Sequence, residues 1–158
     1  MNPKPNGRIR GTDLVLTRAF RAPIDDVWTS VTHPDSTARW FGRWEGQGGA
    51  GQDIRVQMGF EKGAPWMDAH IEACEAPRNF LVTTKMGWRM ELTLTQSGDT
   101  TTLEFVHHQI NPKEVGEVGP GWEYYLDNLV AARANEPLPT FEMYYPSQKD
   151  YYLAQAPK

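Results

Sequence analysis

Residues 88–108 run Trp-Arg-Met-Glu-Leu-Thr-Leu-Thr-Gln-Ser-Gly-Asp-Thr-Thr-Thr-Leu-Glu-Phe-Val-His-His. Two stretches here alternate apolar and polar side chains, the period of a strand buried on one face. In the first, Trp88, Met90, Leu92 and Leu94 share one parity, and Arg89, Glu91, Thr93 and Thr95 the other. In the second, Leu103, Phe105 and His107 alternate with Thr102, Glu104, Val106 and His108. Ser97-Gly98-Asp99 between them is a hairpin signal. So short a connection makes the two strands antiparallel neighbours.

The same period extends upstream. Phe80 to Lys85 is strand-like and leads through Met86-Gly87 into the hairpin. Another strand is expected near 66–75, closed by the turn Ala76-Pro77-Arg78-Asn79. Ile54, Val56, Met58 and Phe60 alternate with Arg55, Gln57 and Gly59. The glycine-rich residues 42–53 read as a flexible loop, a candidate lid. Leu14, Leu16 and Phe20 mark a first strand. After Pro23, the spacing of Ile24, Val27, Trp28 and Val31 predicts a short amphipathic helix. His33-Pro34 ends it, and 35–39 form a second short helical piece. Downstream of the hairpin, Gly119-Pro120-Gly121 precedes a predicted helix of about four turns. Trp122, Tyr125, Leu126, Leu129, Val130 and Arg133 lie on one of its faces, and Asn135-Glu136-Pro137 stops it.

Strands run together with helices outside the run give an α+β domain. About six antiparallel strands are expected in a curved sheet, covered by the long helix near the C-terminus. The 158 residues suit one domain. Residues 1–12 read as a flexible leader, 13–135 as the domain, and 136–158 as a tyrosine-rich extension packing on the domain or on a second subunit. Monomer and homodimer both stay open.

A net charge of −4 with scattered basic residues argues against nucleic acid as a partner. The single cysteine, Cys74, excludes an intramolecular disulfide. No apolar run is long enough for a membrane span, and residues 1–7 hold no signal-like segment, so a cytoplasmic location is expected. There is no nucleophile elbow, phosphate loop or dinucleotide fingerprint, and no cofactor is expected. The four histidines lack ligand spacing, so no metal site is expected. His107, on the inward parity, is the one candidate general base. Trp40, Phe41, Met58, Phe60, Trp88, Met90, Phe105, Trp122 and Tyr125 fall mostly on inward faces, as core or as the lining of a pocket.

Four motifs carry a family resemblance. Ala22-Pro23-Ile24-Asp25-Asp26-Val27-Trp28 resembles the first-helix motif of the START-like (SRPBCC) superfamily. Thr32-His33-Pro34-Asp35 with Arg39-Trp40-Phe41 is similar to the turn and aromatic pair that follow. The segment from Ile71 to Phe80, ending Ala-Pro-Arg-Asn-Phe, resembles the family's Pro-x-Arg-x-Leu stretch. Gly121-Trp122 with Leu126 and Asn128-Leu129 is similar to the closing helix. The branch named for the activator of the heat-shock-protein-90 ATPase looks nearest.

The resemblance implies a helix-grip fold with a cavity between the long helix and the sheet. A small hydrophobic or aromatic molecule would bind there without cofactor chemistry. The expected lining is Trp40, Phe41, Met58, Phe60, Trp88, Met90, Phe105, His107, Trp122, Tyr125, Leu126 and Leu129, with His107, Tyr125 and Arg133 as polar handles. Two alternatives follow from the same resemblance. One is an interaction module with a chaperone as partner; the other is a polyketide cyclase-like enzyme using His107.

Overall fold

The computed structural model describes residues 2–156; Met1, Pro157 and Lys158, at the ends of the expected leader and tail, lie outside them. In chain order the elements are β1 (Arg8–Arg10), β2 (Asp13–Phe20), α1 (Ile24–Thr32), α2 (Pro34–Thr37), β3 (Trp44–Gly46) and β4 (Asp53–Gln57). They continue with β5 (Trp66–Glu75), β6 (Asn79–Thr84), β7 (Arg89–Ser97), β8 (Thr100–His108), α3 (Val115–Arg133), a 3-10 turn (Phe141–Met143) and α4 (Lys149–Gln155). All strands join one antiparallel sheet in the order β1-β2-β8-β7-β6-β5-β4-β3. Among the described residues no helix is long and apolar enough to cross a membrane.

The hairpin that decides the fold closes in the register Arg89↔His108 to Ser97↔Thr100. Gly98 takes the left-handed conformation (φ 61°) that the tight turn requires. Met90, Leu92 and Leu94 of β7 and Leu103, Phe105 and His107 of β8 are buried together. They pack with Leu14, Leu16 and Phe20 of β2, Val27 and Val31 of α1, and Trp122, Leu126 and Leu129 of α3. A smaller cluster, Ile54, Val56, Met58, Ala69 and Ile71, lies under β4 and β5.

Three expectations are corrected. The sheet has eight strands, not about six. The additional β1 and β3 have three residues each, too few to show a period. β1 lies within the segment expected as a leader. Its neighbour Gly7 is held by Glu123 and by the tail, through hydrogen bonds to its N–H and carbonyl.

The second correction concerns 42–53, expected as a flexible loop. Trp44–Gly46 pairs with β4, and Gly51 and Gln52 exchange backbone hydrogen bonds with Ile71. Gly42 lies so close to β4 that a Cβ there would sit 2.1 Å from the Gln57 carbonyl oxygen. Its glycines serve close backbone approach as much as mobility.

The third is the start of α3, at Val115 rather than after Gly121. Proline inside a helix removes a backbone hydrogen bond and crowds the preceding turn, yet here Pro120 lies within it. Val115, Trp122, Leu126 and Leu129 all enter the core, and that tertiary burial overrides the local signal.

Gly116 and Gly119 present bare backbone to α4. A Cβ on Gly119 would lie 2.5 Å from the Tyr152 ring, and one on Gly116 would lie 2.9 Å from Leu153. Tyr152 is fully buried there. Helix propensity alone favours alanine over glycine by about 1 kcal/mol. Gly119→Ala is nevertheless expected to destabilise, by about 2 kcal/mol, because the ring has nowhere to move. Thermal unfolding should show a Tm lower by roughly 4–8 °C; an unchanged or higher Tm would mean that α4 does not hold this position.

Candidate ligand-binding cleft

The cleft opens beside the N-terminal half of α3. The connection after β4 brings Met58, Phe60, Glu61 and Pro65 to it, and the start of β5 brings Trp66 and Met67. The β6–β7 turn adds Lys85, Met86 and Trp88, and β7 adds Met90. From α3 come Glu117, Val118, Gly121, Trp122, Tyr124 and Tyr125. Phe41 lies at the inner end and Phe141 of the tail at the rim. The volume is about 770 Å³, within the range of small-molecule sites.

The rings form a continuous set. Phe41 stacks on Trp122 (5.9 Å, 19°) and meets Tyr125 edge-on at 5.0 Å. Trp122 lies 5.8 Å from Tyr125, and Tyr124 links Tyr125 to Phe141 at 5.4 and 5.7 Å. The Tyr125 hydroxyl donates to Glu61 Oε2 at 2.9 Å. Burial raises the Tyr125 pKa, and the Glu61 carboxylate raises it further, so the phenol stays a neutral donor. Among the described residues, no group accepts from the indole N–H of Trp66 or Trp88.

Behind the cleft lies a second, smaller cavity of about 90 Å³. Trp40, Phe105 and Leu126 line it, with Val56, Ala69 and Val82 of the sheet. Phe41, Met67, Met90 and Trp122 line both spaces and mark the border between them. A third depression, of about 750 Å³, lies over β3–β6 and is lined by Glu45, Asp53, Arg55 and His70. There Arg55 pairs with Glu45 at 3.1 Å and His70 meets Asp53 at 2.8 Å, and no Phe, Tyr, Trp or Met lines it, so the cleft is the better candidate.

Of the expected lining residues, Phe41, Met58, Phe60, Trp88, Met90, Trp122 and Tyr125 meet in the cleft. Trp40, Phe105 and Leu126 reach only the inner cavity. Leu129 and His107 line neither. Leu129 is packed in the core, one turn beyond the open space. Arg133 is spent at the other end of α3, on Asp26 and Ser30.

His107 points inward but stands behind the wall, 3% exposed, with Trp88 at 4.9 Å. Its Nδ1 accepts the indole N–H of Trp122 at 3.0 Å. Burial, and then the neighbouring His108, lower its pKa to about 4, so it is neutral at pH 7. With that lone pair engaged, it orients Trp122 from within the core, away from the cleft where the cyclase-like alternative would need its candidate base.

Several lining residues were not expected. Gly121 and Tyr124 lie on the flank of α3, off the apolar stripe of Val115, Val118 and Trp122, so the helical period alone did not single them out. Met67 follows the β5 parity only once its pairing with Val56 is known, and Trp66, of the opposite parity, reaches the cleft as the first residue of the strand. Phe141 belongs to the apolar tail expected to pack on the domain or on a second subunit, but which surface it reaches is a tertiary fact.

The family described as Activator of Hsp90 ATPase homolog 1-like protein matches residues 21–134. No curated protein matches the sequence. Among solved structures, CalU16 from Micromonospora echinospora is 27% identical, with a TM-score of 0.78 over 92% of this chain and 89% of that one. DynU16, from the dynemicin biosynthetic locus, is 23% identical with a TM-score of 0.70, covering 87% of this chain and 51% of DynU16. The Aha1 dimer from Colwellia psychrerythraea is 15% identical, with a TM-score of 0.64 over 76% and 94%. The last two are likenesses of fold alone.

Proposed function

This chain belongs to the Activator of Hsp90 ATPase homolog 1-like protein family, and from that premise we propose that it binds a small aromatic molecule in the cleft beside α3. The observation that carries the proposal is the cleft's lining: a linked set of rings and methionines with polar groups at the rim. Aromatic faces favour a flat apolar body. Methionines adapt to its outline. Tyr125 with Glu61, and the indole N–H groups of Trp66 and Trp88, can meet hydrogen-bonding groups at its edge. The driving force would be burial of apolar area at about 25 cal/mol per Å².

A thermal-shift screen against flavonoids, polyketides and other aromatic metabolites tests this. A ligand at 100 times its Kd adds about 2.7 kcal/mol, a Tm rise of roughly 5–10 °C. Gly121→Phe supplies the control, because a Cβ at Gly121 meets nothing within 4 Å. The new ring occupies the cleft, while the helix loses an unfavourable glycine. The variant should keep or raise the Tm and lose at least tenfold in affinity. Unchanged affinity in a folded variant would place binding elsewhere. No saturable hit across the library, combined with stimulation of a chaperone ATPase, would favour the interaction module instead.

A further inference from the structure

Resting on that cleft, we infer that the ligand is a ring body bearing one slender, unbranched apolar arm, the body in the cleft and the arm in the cavity behind it. The two spaces differ in size and in chemistry. The outer one, about 770 Å³, has polar groups at its rim. The inner one is about 90 Å³, less than the roughly 150 Å³ apolar cavity that holds a benzene ring. A ring does not enter it; a chain of about four carbons fills it.

Most of the inner cavity's polar groups are already engaged. Thr32 and Thr37 donate their hydroxyls to the carbonyls of Trp28 and Pro34, and Thr84 Oγ1 accepts the backbone N–H of Trp88. The indoles of Trp40 and Trp44 donate to Ser30 and Thr32, and that of Trp122 to His107. A polar arm would be buried with few partners, which is costly; an alkyl arm loses nothing. The arm would pass between the side chains that border both spaces. Of these, Met67 and Met90 are flexible enough to move aside, whereas the stacked Phe41 and Trp122 form the fixed jambs.

A series of acyl-dimethylaminonaphthalenes tests this with one flat body, one carbonyl and a variable arm, from acetyl through propionyl, butyryl, pentanoyl and hexanoyl to dodecanoyl. Affinity, read from the emission shift, should rise about fourfold per methylene. The rise should stop after about four carbons. Ala69→Val narrows the inner cavity, and Val56→Ile is a milder second choice should the first not fold. Either should move the plateau to a shorter arm and leave the acetyl compound's affinity unchanged. Affinity independent of arm length, a rise continuing to dodecanoyl, or a plateau indifferent to both substitutions would overturn the inference while leaving the cleft standing. Failure of the acetyl compound and the whole series to bind would remove the cleft as a site for such bodies, and the inference with it.

Discussion

Glu123→Ala is expected to cost about 3–5 kcal/mol, the scale of breaking a buried ion pair from one side. Glu123 is 1% exposed on α3. Its Oε1 accepts from Arg18 at 2.8 Å. Its Oε2 accepts the backbone N–H of Asn6 at 2.7 Å and of Gly7 at 3.1 Å, and also the Tyr152 hydroxyl. One carboxylate thus ties the N-terminal segment, β2 and α4 to the long helix. Burial works against the Arg18 charge, but Asp127 and Glu123 outweigh it, and the Arg18 pKa ends above its ordinary value. Alanine would leave Arg18 with Asp127, at 3.0 Å, as its one remaining carboxylate partner among the described residues, and would orphan three other donors, the N–H groups of Asn6 and Gly7 and the Tyr152 hydroxyl. Urea unfolding should register the loss, with a Tm lower by roughly 6–20 °C. Glu123→Gln, which keeps an acceptor but not the charge, should lose less. A loss under about 1 kcal/mol for alanine would show that water replaces the carboxylate and that the segment is not anchored there.

The second large effect is a pH dependence that belongs to His107. Its folded pKa of about 4 lies below the ordinary 6.5. The unfolded chain therefore takes up the proton first as pH falls. The stabilisation is present in full above about pH 6.5 and is lost progressively as pH drops towards 4. At its full extent the loss is about 3 kcal/mol. His107→Gln removes the titration while leaving an acceptor for the Trp122 indole. The stability difference between the two proteins should therefore change between pH 7 and pH 4.5. Glu91 also sits below its ordinary pKa; burial opposes this, but hydrogen bonds from Asn79 and His108 prevail. Glu72 is lowered as well, by hydrogen bonds from Thr83 and Arg89. Both carboxylates act in wild type and variant alike, so the difference isolates His107. Parallel pH profiles would mean that the imidazole titrates in the fold as it does in the open chain.

Much of this architecture was legible in the order of residues. The alternation from Trp88 to His108 showed both strands of the central hairpin and their inward faces, because a pleated strand admits only two directions. The spacing of Ile24, Val27, Trp28 and Val31 showed α1 for the equivalent reason in a helix. The motifs around Ala22-Pro23, Arg39-Trp40-Phe41 and Gly121-Trp122 pointed to the family that the match over 21–134 establishes. Phe41, Phe60, Trp88, Trp122 and Tyr125, which line the candidate cleft, were among the aromatic residues that the sequence pattern offered as core or pocket lining.

What the sequence could not determine was every feature whose cause lies far along the chain. β1 and β3 exist because longer strands offer them open edges, not because three residues prefer to be extended. α3 runs through Pro120 because Val115 is buried in the common core, and Gly116 and Gly119 are bare because α4 lies on them. His107 has the parity of a pocket residue, yet Trp122 takes its nitrogen and stands between it and the cleft. Local pattern therefore determined which side chains turn inward. Whether an inward side chain ends in packed core or beside open space depends on what its distant neighbours fill, and only the tertiary structure decided that.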